Sequence, residues 1–303
     1  MGFRLKPEEP VAREVKRIVV RQFELAVTEL RAIGNPDSDA AVHRARRRVK
    51  KIRAALRLVR SALGGTFEPL DKRLRHSARL LAPVADGQGV VQALDRLAEK
   101  YRDDFAAAAL ASFRAGLLER EVRADRQAKV QRVLKTVSTI LREERTQVKS
   151  WQLKRAGFRP VGQALESTCR RARQAMAAAT AHPTADNFHV WRRLVKDHWF
   201  QVRLIESRCG NRLVAYERRL EALDDLLGEY HNFALMRTIL SAEMTVSRDE
   251  TARRLRIIRR YQGELRRKAR ALGARIYNEK PRRFARRVHA LWRLTNVLRH
   301  VPS

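Results

Sequence analysis

Two cysteines, Cys169 and Cys209, are all that 303 residues contain. That is too few for a disulfide framework, and they read as small buried side chains in a reducing compartment. No apolar run approaches the roughly 18 residues that a membrane span needs. The opening MGFRLKPEEP has no apolar core of a signal peptide and no Ser or Thr at position six to mark myristoylation. These absences predict a cytoplasmic protein with no membrane insertion. Walker-type phosphate loops, HExxH, Cys-rich metal patterns and the Glu-x-Glu-x-Lys strand of triphosphate tunnel enzymes are also missing. The sequence therefore predicts no enzyme, no cofactor and no metal site. The cluster Asp224, Asp225, Glu229 and His231 reads as helix-end charge rather than as metal ligands.

Acid is scarce. Sixty-six Arg and Lys face 33 Asp and Glu, a formal net charge of +33, while 44% of residues are hydrophobic, enough for a folded core. Arg outnumbers Lys about four to one, and its planar fork suits phosphate and carboxylate oxygens. A charge of this size repels itself in the free protein, and a polyanion is the natural compensation. Nucleic acid, inorganic polyphosphate and an anionic membrane surface are the classes left open. The shortage is sharpest in AVHRARRRVKKIRAALRLVR: no Asp or Glu occurs from Ala40 to Phe67.

Glycine and proline are sparse as well, 13 and 9, and they cluster where helices should end. Apolar spacing follows the helical period, and strand-like alternation is nearly absent. Helices are predicted at about 8–33, 40–63, 68–82, 88–119, 121–150, 157–181, 186–208, 212–228, 231–244, 248–278 and 281–300, an all-α protein of helical bundles.

The basic stretch recurs 146 residues later as NFHVWRRLVKDHWFQVRLIE. Without a gap, His43 aligns with His189, Arg46 with Arg192, Arg47 with Arg193, Lys50 with Lys196 and Arg57 with Arg203. The same offset lays LDKRLRHSARLLAPVAD over YERRLEALDDLLGEYHN. A long-period duplication implies two similar modules, here residues 1–150 and 151–303.

At about 100° per residue, Val42, Ala45, Val49, Ile52, Leu56 and Val59 form an apolar stripe. Opposite it lie His43, Arg46, Arg47, Lys50, Arg53 and Arg57. Like charges three or four apart repel by roughly 0.2–0.5 kcal/mol per pair. Each buried Val, Ile or Leu of the stripe contributes about 1.5–3 kcal/mol, so the helix is stable despite its charge. The second copy repeats the ribbon with His189, Arg192, Arg193, Lys196 and Arg203. There Trp199 and Phe200 replace Arg53 and Ala54, which predicts a helix covered on both flanks. Trp191, Trp199, Phe188 and Phe233 are spaced for core packing rather than for stacking nucleobases.

VHRARRRVKKIRAAL, FHVWRRLVKDHWFQVRLI, LLGEYHNFALM and ARIYNEKPRRFARRVHALW resemble the CHAD family, the conserved histidine α-helical domain. The resemblance runs over nearly the whole chain. It implies two pseudo-symmetric antiparallel four-helix bundles around a basic groove or pore, with inorganic polyphosphate as ligand and association with polyphosphate granules. By residue match, the family's basic positions fall on His43, Arg46, Lys50, Lys51 and Arg53, and on His189, Arg192, Arg193 and Lys196. Three features depart from its pattern: Asn232 stands where Asp is usual, Trp199 where Arg is frequent, and PVADGQG lacks the family's Gly-Arg-Asp pattern although Asp86 is present. The alternatives left open are a sequence-nonspecific nucleic-acid binder and a granule-associated scaffold.

Overall fold

A computed structural model describes residues 2–31, 38–83, 90–91, 93–96, 99, 124–148, 150–151, 153, 157–241 and 248–299, and their regular structure is all helical. The helices are α1 (Val11–Arg31), α2 (Ser38–Leu58), α3 (Arg60–Leu63), α4 (Phe67–Leu80), α5 (Ala124–Val148), α6 (Phe158–Ala181), α7 (Ala185–Ile205), α8 (Val214–Ser241), α9 (Arg248–Ile276) and α10 (Pro281–Arg299). Short 3₁₀ turns follow α3 at Gly64–Thr66 and α7 at Glu206–Cys209. The predicted helix over 88–119 and the segment PVADGQG lie mostly outside the described residues.

Most breaks fall where turn chemistry places them. Gly64 and Gly210 adopt φ of +55° and +60°, a region that residues with a Cβ rarely enter. The Thr184 hydroxyl accepts the Asn187 N–H at 3.2 Å and caps α7. Pro281 opens α10, where its missing N–H costs nothing. One expected break does not occur. Helices predicted at 212–228 and 231–244 are the single helix α8. Gly228 does not end it, because Phe233, Met236 and Leu240 continue its buried face. A Cβ at Gly228 would stand 3.2 Å from the Arg192 guanidinium, so the glycine makes room for a neighbour rather than for a turn.

The apolar stripe of α2 is buried as its spacing requires: Val42, Ala45, Val49, Ile52, Leu56 and Val59 are all inaccessible. In the first half, α1 and α4 each pack on α2 and on α5. In the second, α7 packs on α6 and α8, α9 on α8, and α10 on α6. The halves meet where α2 packs on α7, and one continuous apolar core runs through both. α7 is covered on both flanks, with Trp191, Trp199, Phe188 and Phe200 all buried.

The segment before α1 clasps the two halves together. The Leu5 N–H donates to the Leu204 carbonyl at 2.8 Å, and the Arg208 guanidinium donates to the Lys6 carbonyl at 2.7 Å. Phe3 meets Phe200 edge-on, with centroids 5.8 Å apart. The buried Glu14 carboxylate accepts the Lys6 N–H at 2.7 Å and the Arg17 guanidinium at 2.6 Å. That pairing draws the segment back onto α1.

One buried polar group in this core bears on stability. His198 is fully inaccessible among Tyr216, Tyr277 and Phe284, and neither ring nitrogen has a hydrogen-bond partner among the described residues. Burial pushes its pKa down to about 3. The unfolded chain takes up the proton near pH 6.5 and the folded chain does not, so stability falls as pH drops below 6.5 and levels off near 3. His198→Phe is expected to lose about 3 kcal/mol less stability than the parent between pH 7 and pH 4, read from denaturant midpoints at each pH. Equal losses would show that His198 is not the acid-sensitive group.

Candidate functional site

The basic residues of α2 and α7 converge where the two helices cross, and they divide between two cavities. The first, about 630 Å³, is lined by His43, Arg46, Arg47 and Lys50 of α2 and by Arg192, Lys196 and Trp199 of α7. The α8 carboxylates Glu221, Asp224, Asp225 and Glu229 form a further wall, with Asn232 beyond them. The second cavity, about 660 Å³, takes Arg53 and Arg57 of α2, Arg193 and Asp197 of α7, Asp71 and Arg75 of α4, and Arg171 of α6. Both volumes fall within the roughly 300–1,000 Å³ of small-ligand pockets.

The division falls between Lys50 and Arg53, next to Ala54. Ala54 lies on the basic side of α2 and is fully buried. Side chains around it reach α7: Arg47 lies 5.7 Å from the Trp199 ring centre, Lys51 lies 5.9 Å from that of Phe200, and Arg57 bonds Asp197. A residue without bulk lets the second helix come close at this point. The ribbon of the helical wheel is cut into an N-terminal group and a C-terminal group.

The two groups differ in their counterions. Asp71 is 3% exposed and accepts Arg53 at 2.9 Å, Arg75 at 2.9 Å and Arg57 at 3.4 Å. Its pKa is lowered to about 2; burial alone would raise it, and the three guanidiniums outweigh that. Arg203 of α7 pairs with the buried Glu217 of α8 at 3.3 Å. Arg57 and Arg203 stand 146 positions apart, and so do Asp71 and Glu217. The same ion pair thus ties the basic helix to a following helix in each half. The acid shortage within 40–67 is real, and the acids that answer it come from elsewhere in the chain.

In the first cavity the facing carboxylates come from α8. Lys196 bonds Asp224 at 2.7 Å. Lys50, half-buried, has its pKa driven well down, first by loss of hydration and then by the charges of Lys196, Arg46 and Arg192, with Asp224 opposing. His43 is lowered to about 4 by loss of hydration and then by Lys50, Lys196, Arg46 and Arg47. His189 is lowered by loss of hydration and by cations of both helices, Arg192, Arg193, Lys50 and Arg46. Cations from both basic helices therefore act on one another here. Such a cluster can hold an anion carrying several charges through charge-assisted hydrogen bonds.

Three of the residues singled out from sequence line neither cavity. His189 faces His231 with ring centres 4.9 Å apart. Lys51 lies 5.0 Å from the Phe3 ring centre, and its pKa falls to about 8 through burial and then the charges of Arg48, Arg47 and Arg203. Arg203 is held by Glu217. Trp199, at a position where Arg was expected, offers its ring face to Arg47 and Arg203 at 5.7 and 5.9 Å. It substitutes a cation–π surface for a donor. Sequence reasoning passed over Asp71 and Gly228, although the alignment of Asp71 with Glu217 at the repeat offset was a usable signal. Among the described residues no group of three or more His, Cys, Asp or Glu is placed to hold a metal ion.

A model for the CHAD domain family matches residues 19–241, which takes in α2, α7 and all of α8. No curated protein and no solved structure matches the chain.

The Asp71 cluster gives a stability test. Asp71→Asn leaves Arg53 and Arg57 in a half-buried site with one carboxylate between them, that of Asp197. Removing one partner of such a pair typically costs about 3 kcal/mol or more. A lower denaturant midpoint with an unchanged slope is expected. An unchanged midpoint would show that the cluster is solvated and dispensable.

Proposed function

The chain belongs to the CHAD domain family, and from that premise we propose that it binds inorganic polyphosphate in the cavity between α2 and α7, without catalysing its breakdown. CHAD domains are associated with polyphosphate in general. The observation that carries the reading is the meeting of Arg46, Arg47 and Lys50 with Arg192 and Lys196 around one cavity. The repeated pair Arg57–Asp71 and Arg203–Glu217 supports reading the two halves as pseudo-symmetric four-helix bundles. Their basic helices then meet across a shared groove.

The ligand chemistry follows from the site. Polyphosphate is a flexible chain of repeated anionic groups with no bases to read. It calls for many fixed Arg and Lys donors and no base-specific code. Lys196 already has the Asp224 carboxylate as internal counterion. A ligand must displace or outbid that carboxylate, which favours an anion bearing several charges over a single phosphate. Trp199 lines the cavity but is buried with Arg47 and Arg203 over its ring, and Phe188 and Trp191 are buried, so no ring face is open for a base to stack on, which argues against single-stranded nucleic acid there. The basic lining suits retention rather than turnover, so we read the protein as a cytoplasmic binding module, with polyphosphate granules as the place such a ligand would bring it.

Affinity for long-chain polyphosphate should depend steeply on salt. If about eight phosphates are neutralised at a slope of about −0.7 each, affinity falls on the order of a thousandfold from about 50 to about 200 mM salt. The variant carrying Arg46→Ala, Lys50→Ala, Arg192→Ala and Lys196→Ala is expected to bind more than about a hundredfold more weakly, with its helical circular dichroism intact. Equal affinity in the folded variant would place the site elsewhere.

A further inference from the structure

Residues 248–299 carry eighteen Arg and Lys against four Asp and Glu, a net +14 of the chain's +33. They lie beyond the 19–241 matched by the family, and the cavity between α2 and α7 uses none of their cations. We propose that the outward face of α9 is a second, separate binding surface, which takes the phosphate backbone of duplex nucleic acid without reading its sequence.

α9 is sharply two-sided. Ile258, Leu265, Ala269 and Ile276 are buried on one side of the helix. At about 100° per residue, Arg253, Arg256, Arg267 and Arg270 fall on the opposite side, and all four are exposed. Among the described residues none of the four forms an ion pair. Arg253 to Arg270 spans seventeen residues, about 25 Å of helix. That is twice the width of a major groove, about 12 Å, so the row can touch phosphates on both of its edges.

The shape of the surface selects the ligand. A straight, convex row of charges matches a stiff polyanion whose phosphates are already ordered. A free polyphosphate chain would have to be straightened there, with no walls to hold it, whereas the cavity encloses it. Single strands gain much of their affinity by stacking on aromatic side chains, and this face presents none. Tyr261, the aromatic residue of α9, instead donates its hydroxyl to Glu229 of α8 at 2.9 Å.

The test uses the full chain and a labelled duplex of about 20 base pairs, followed by fluorescence anisotropy at several salt concentrations. Charge reversal by Arg253→Glu, Arg256→Glu, Arg267→Glu and Arg270→Glu is expected to weaken duplex binding more than about thirtyfold. With about four phosphate contacts gone, the salt slope should become shallower by about 3 to 4. Replacing the same four with Lys should retain most of the affinity, and circular dichroism should be unchanged in both variants. Polyphosphate binding should survive the α9 reversal, and duplex binding should survive the fourfold Ala variant of the cavity. Unchanged duplex affinity after charge reversal would overturn the proposal. So would loss of duplex binding in the cavity variant, or loss of polyphosphate and duplex together in the α9 variant, which would make the surface part of the polyphosphate path. Because the duplex is a separate probe, a failure of polyphosphate to bind the cavity leaves the α9 result readable.

Discussion

Two cationic helices lie against each other at the centre of this chain, and hydrophobic burial on their far sides holds them there. Val42, Val49, Ile52 and Leu56 of α2, with Val59 in the turn after it, are inaccessible and contribute about 1.5–3 kcal/mol each. α7 buries a wider surface that includes Trp191, Trp199 and Phe200. These gains exceed the repulsion between like charges at a few tenths of a kcal/mol per pair. They let the fold keep Lys50, Lys196, Arg46 and Arg192 together in a partly dehydrated site. Ala54 allows the close approach, and the segment from Phe3 to Glu9 straps the second half to α1.

The counterions around that crossing come from different helices, α4 and α7 in the second cavity and α8 in the first. Arg53, Arg57 and Arg203 are engaged by Asp71, Asp197 and Glu217 and act as ties between helices. Around Lys50 the main internal answer is Asp224, already shared with Lys196. The outer row on α9 is a different case: it is solvated, sits on a convex surface and is not coupled to the crossing. One chain thus presents an enclosed cationic site and an open one, suited to anions of different stiffness.

Much of this was legible in the sequence because it rests on periodicity. The apolar stripe of α2, the all-helical class, the burial of Trp191, Phe188 and Phe233 and most of the helix ends followed from spacing and from Gly or Pro at the breaks. The single helix α8 was not legible. Gly228 looks like a stop signal unless the Arg192 guanidinium lying over it is known. Nor could a helical wheel show that the ribbon is cut between Lys50 and Arg53, since a wheel carries no information about the neighbour that crosses it. The roles of Arg57 and Arg203 needed partners 14 residues away in sequence. Those partners align with each other at the same repeat offset as Arg57 and Arg203, so the pairing was legible in the duplication but its geometry was not.

The most direct test is the effect of Lys50→Met on stability and on polyphosphate binding, measured on the same preparation. Lys50 is half-buried among like charges, so removing its amine should stabilise the free protein and, if the proposed function holds, weaken polyphosphate binding at least tenfold. A variant that is less stable than the parent, or that binds polyphosphate as well as the parent, would contradict the account.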